Sequence, residues 1–152
     1  MLASLLASVL AQVDRVIADL KPDSFKGYTV GDNTNKDEAK HPWLMDDEKV
    51  TYKAYEMCVK YGIKNVCVHK GLFPTSIEQK FPHLLAYSDV RDVGKAAKDW
   101  PQLNFVIYHS AYRYPGGGTA ADGWNEFEQT GRSSWVSDLA EIPAKFGVTN
   151  VY

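Results

Sequence analysis

Few of the residues that advertise a particular chemistry are plentiful in this chain. Cysteine occurs twice, at Cys58 and Cys67, which is too few for a disulfide scaffold, and no CxxC pair is present. GxSxG and HExxH are missing, and so are the signatures of the common serine hydrolases and zinc proteases. Neither sign of charge prevails: 17 Lys and Arg face 19 Asp and Glu, for a net charge of −2. That balance argues against nucleic acid or an anionic membrane surface as the main partner. No apolar stretch approaches the ~18 residues that cross a bilayer. With 152 residues, 45% hydrophobic and 24% charged, the chain reads as one globular domain over 1–152. Its expected compartment is the reducing cytoplasm.

What the sequence does have is rhythm. The opening MLASLLASVLAQ is Leu/Ala/Ser-rich like a secretory signal, the alternative reading, but lacks the Lys or Arg that a signal carries ahead of its apolar part. Its Leu2, Leu5, Leu6, Val9, Leu10, Val13, Val16, Ile17 and Leu20 keep helical spacing, which predicts an amphipathic helix over 1–21 closed at Lys21-Pro22. Phe25 to Val30 reads as a strand, followed by the polar loop GDNTNKDEAKHPW. Asp46 or Asp47 caps a second helix with Val50, Ala54, Met57, Cys58 and Tyr61 inward and Gly62 as its stop. Ile63 to His69 is a buried strand. A capping box at Thr75–Glu78 starts a short turn, and a longer helix from near Ser88 presents Val90, Val93, Ala97 and Trp100 on one face. Leu103 to His109 is a second apolar strand, and YRYPGGGTAADGWNE a glycine-rich loop. Ser133 or Ser134 caps the last helix, which turns Trp135, Leu139, Ile142 and Phe146 inward. Val148 to Tyr152 is the final strand.

Helices alternating with short apolar strands specify an α/β fold of parallel βα units with right-handed crossovers. About four strands and four to five helices make a small open sheet or a partial (half) (β/α)8 TIM-type barrel. An ending on an uncovered strand suggests a truncated or split chain. In such folds the working face lies at the C-terminal ends of the strands, and His69 and His109 are the first polar side chains after the two best strands. Two imidazoles meeting there can bind one divalent metal, or either can act as a general base; the plainer reading has each bonded to a loop at the edge of the core. Lys70 and Arg113 are candidates to hold a substrate carboxylate, with Tyr112 and Trp124 as further substrate-binding candidates. His41 and His83 read as surface residues. Gly116-Gly117-Gly118 lacks GxxxxGK[ST] and reads as a flexible lid. Trp43, Trp124 and Trp135 are candidates for an apolar pocket, although Trp135 has core spacing.

NVCVHKGL at 65–72, DWPQLNFVIYHSAYR at 99–113 and FGVTNVY at 146–152 together resemble the amidohydrolase-related family of metal-dependent hydrolases and decarboxylases. The resemblance implies a (β/α)8 barrel of which this chain supplies roughly strands four to seven. It implies that His69 is the strand-five metal ligand and that His109 is a second ligand or an acid/base group, with zinc as the usual metal and a small organic molecule as substrate. The family's strand-one His-x-His pair and strand-eight Asp have no counterpart here. Lys26 begins its strand, which makes it a poor candidate for a bridging carboxylated lysine. One or two histidines do not close a zinc site, which takes at least three protein ligands.

The expectation is therefore an amidohydrolase-like hydrolase or a fragment of one, working as a homodimer or paired with a chain that carries the missing strands. The alternatives are a non-catalytic remnant or oligomerising module on the same scaffold, and an unrelated small open-sheet protein.

Overall fold

The computed structural model describes residues 2–31, 41–114 and 119–152. Helix α1 spans Leu2–Leu20 and leads through Pro22 into strand β1, Ser24–Tyr28. Helix α2, Thr51–Lys60, precedes β2, Asn65–His69; the short helices α3, Thr75–Lys80, and α4, Leu85–Ser88, with α5, Val93–Asp99, connect β2 to β3, Asn104–Tyr108. Helices α6, Ala120–Thr130, and α7, Val136–Phe146, follow. The three strands form a parallel sheet in the order β1-β2-β3. Residues 150–152 continue it: Phe105 and Ile107 N–H donate to the carbonyls of Asn150 and Tyr152, at 2.8 and 2.7 Å. The expected final strand is thus short, bridged at Phe105 and Val151 alone.

Alternation assigns the two faces of the sheet. Val66, Val68, Phe105 and Ile107 are buried, and Tyr55 of α2 meets Phe105 edge-on at 5.3 Å between ring centroids. Val93, Ala96 and Ala97 of α5 and Leu139 and Ile142 of α7 complete this core. The other face carries Lys26 and Tyr28 of β1, Cys67 and His69 of β2, and Val106 and Tyr108 of β3, most of them half-buried or exposed. Asn150 ties the last segment down: its amide nitrogen donates to the carbonyls of Ala97, Trp100 and Leu103 at 3.1, 3.1 and 2.8 Å. Those carbonyls lie at and just beyond the end of α5, where the helix itself supplies no donor.

Several expectations change. On α1, Ile17 is buried, whereas Val16 and Leu20 face solvent at 41% and 73% exposure. Pro74 takes the cap position of α3, so the Thr75–Glu78 capping box does not form there and Glu78 reaches Arg113 instead. The long helix expected from Ser88 is broken, because Asp89 is extended and Asp92 is drawn into the core, where it accepts the Met45 N–H at 2.8 Å. The glycine-rich loop gives way to α6, whose start carries a capping box of Thr119 and Asp122. The lid expectation at Gly116–Gly118 and most of the 31–43 loop lie outside the described residues. Among the described residues no helix is long and apolar enough to cross a membrane.

Candidate functional site

The three parallel strands end level with one another: Tyr28 is in register with His69, and His69 with Tyr108. Period-two alternation sends all three side chains to the open face. The His69 ring stacks on Tyr28 with centroids 5.0 Å apart. His109 comes one residue after β3, and there the backbone turns left-handed: His109, Ser110 and Ala111 have φ of 60°, 49° and 55°. Each left-handed non-glycine residue costs ~1 kcal/mol or more, and such strain gathers at functional sites. The turn is closed by the Tyr112 N–H donating to the His109 carbonyl at 2.9 Å. It swings the His109 ring to 4.8 Å from His69, edge to face.

A backbone lock ties together the loops that follow these two residues. The Leu72 N–H donates to the Tyr112 carbonyl at 2.6 Å, so the loop after β2 is bonded to the loop after β3. Gly71, at φ +71°, lets them meet: a Cβ there would stand 2.6 Å from the Tyr112 carbonyl oxygen and collide with the Ala111 backbone. Below the histidines, Lys26 extends across the open face. Its ammonium lies 4.8 Å from the centre of the Tyr28 ring and 4.5 Å from that of Tyr108.

The electrostatics favour neutral imidazole. Burial pulls the pKa of His69 below its ordinary value, and the neighbouring His109 and Lys26 push it further the same way. The Tyr108 hydroxyl is raised, first by its hydrogen bond with Cys67. At neutral pH His69 therefore presents a free nitrogen lone pair, the form that binds a metal or accepts a proton.

The remaining candidates are placed elsewhere. Lys70 points to the opposite face from His69 and its side chain is fully buried, with the ammonium 2.8 Å from Asp92 Oδ2 and donating to the Tyr87 carbonyl at 2.9 Å. It is a core ion pair, which corrects the reading of Lys70 as a substrate contact. Arg113 donates to Glu78 at 2.7 Å and lies over the Trp135 ring, so its charge is already matched. Tyr112 packs on Tyr114 and abuts Gly123 of α6. Trp124 stands exposed on α6 against Phe127. Trp43 packs on the core and Trp135 is buried at the start of α7, so the tryptophans form no common pocket. A concavity of about 590 Å³ lined by Ile17, Lys21, Tyr61 and Asn65 lies at the other, N-terminal end of the sheet.

Tyr28 and Tyr108 are rim residues that carry no signal of their own in the sequence, and Lys26 is one whose expected place at the start of its strand is corrected. Lys26 is the middle residue of β1 rather than its start. The signal was the Lys-x-Tyr alternation, legible only once the β1–β2 register is known.

The architecture is that of a parallel α/β protein with paired imidazoles on its strand-end rim. No family model matches the chain, and no curated protein or solved structure does so either.

Proposed function

We propose that this chain is the histidine-bearing half of an amidohydrolase-type (β/α)8 barrel, a metal-dependent hydrolase or decarboxylase acting on a small organic molecule. The observation that carries the reading is the 4.8 Å meeting of His69 and His109 at the strand-end rim. The consecutive parallel order of the strands supports it too, because barrel strands neighbour one another in chain order. Two imidazoles at this separation fit adjacent positions around one divalent ion, zinc being the metal that the ligand chemistry favours. His69 would hold it, and His109 would either hold it or move a proton. Among the described residues no group of three or more His, Cys, Asp and Glu is arranged to hold a metal ion. Further ligands would come from a second copy or from another chain set against the open face. The metal, when bound, would supply an activated water near neutral pH.

Titration of the purified chain with zinc, read by calorimetry, tests this. Stoichiometric binding that is lost in His69→Gln is the expected result, with loss in His109→Asn marking His109 as a second ligand and retention marking it as the proton carrier; zinc uptake indifferent to both substitutions, or none, refutes it. A second reading, a metal-free binding module on the same scaffold, draws support from the Lys26 ammonium beside the histidines, since a cation there opposes a second cation. The same titration separates the two.

A further inference from the structure

Among the described residues three cations stand on or beside the rim, and two are spent. Lys70 is neutralised by Asp92 and Arg113 by Glu78, at 2.8 and 2.7 Å. Lys26 has no carboxylate within ion-pair distance and no hydrogen-bond acceptor among the described residues. Its charge is met by the faces of Tyr28 and Tyr108, at 4.8 and 4.5 Å. A cation–π contact attracts the charge but consumes none of the three ammonium N–H donors. The two rings also hold the ammonium in place, so less side-chain freedom is lost when a ligand arrives. The result is an oriented, solvent-facing cation with unspent donors. It is joined to the histidines through Tyr28, which stacks on His69.

We propose that Lys26 is the anion-recognising residue of this site and that the ligand it selects is a small organic monocarboxylate, its carboxylate on the ammonium between Tyr28 and Tyr108 and its body reaching His69 and His109. The proposal rests on the reading of the rim as the working face. A single negative charge is specified because, among the described residues, the rim holds one uncompensated cation; a phosphate dianion would need a second, which neither Lys70 nor Arg113 can lend. A lysine that merely guarded the β1 edge against aggregation would not discriminate an acid from its amide.

The test uses the full chain, isotopically labelled, with benzoate, benzamide and inorganic phosphate added separately at constant ionic strength and backbone amide resonances followed by NMR. Benzoate is expected to shift Tyr28, His69 and Tyr108 saturably, with benzamide about tenfold weaker. Lys26→Met should weaken benzoate by a similar factor and Lys26→Arg should largely retain it. Equal responses to benzoate and benzamide, an unchanged Lys26→Met, or tighter binding of phosphate than of benzoate would each overturn the proposal. A zinc titration of Lys26→Met keeps the two readings apart. Lys26-dependent benzoate binding by a chain that takes up no zinc upholds this inference and removes the metal. Zinc binding alongside Lys26-independent benzoate binding does the reverse.

Discussion

At the scale of single residues, the Lys70–Asp92 pair is the most demanding feature of the molecule. Both side chains are sealed from water, and burial pulls the ammonium pKa down and the carboxyl pKa up while their mutual attraction opposes each shift. The Tyr87 carbonyl and the Met45 N–H support the pair, while Asp92 Oδ1 is buried with no hydrogen-bond partner among the described residues. Removing one partner strands a buried charge. Lys70→Met or Asp92→Leu alone should therefore cost about 3–5 kcal/mol in urea unfolding. The double variant should recover at least half of that loss, the shortfall belonging to the Met45 and Tyr87 backbone groups left behind. Cys58 gives a separate expectation. Burial pushes its thiol from 9.0 up to about 11, so between those values the unfolded chain ionises while the folded one keeps its proton. Stability is then fully present below pH 9 and falls as pH rises through 9 to 11. Cys58→Ala should flatten that limb of the stability–pH curve measured by chemical denaturation.

At the scale of elements, the two loops that carry the histidines depend on one glycine. Gly71→Ala meets both a left-handed φ and the Ala111 backbone. Gly62, at φ +75°, has open space around a would-be Cβ. Gly62→Ala should cost about 1 kcal/mol from backbone strain alone, and Gly71→Ala clearly more, with hydrogen exchange quickened at the Leu72 amide; equal costs would refute the lock. The same elements show what could be read from the sequence. The βα rhythm was legible because apolar runs and their helix faces obey simple periods, and His69 and His109 were legible because strand ends are marked by the first polar residue. Helix α6 was obscured by its glycines and low hydrophobicity, although Thr119-x-x-Asp122 was a cap signal in plain view. Lys70 was misread because a lysine just past a strand looks solvated until its buried partner, 22 residues on, is known. Lys26 and Tyr28 became site residues through strand register, which a single sequence does not disclose.

At the scale of the whole molecule, core and rim are separable. The apolar core lies between the sheet and helices α2, α5 and α7, whereas His69 is half-buried and His109 exposed. The combined variant His69→Gln, His109→Asn should shift unfolding free energy by no more than about 1 kcal/mol. Asparagine is chosen at 109 because it tolerates the left-handed turn. Loss of cooperative thermal unfolding in that variant would show the rim to be part of the core after all.

Because a main-chain hydrogen bond ties together the loops that follow the two rim positions, whatever occupies them inherits that tie. Aspartate, which tolerates the left-handed backbone at 109, could be installed at both positions on loops already joined. The scaffold is in that sense a mount with interchangeable heads, open to new reactivity by two codon changes without any redesign of what lies beneath.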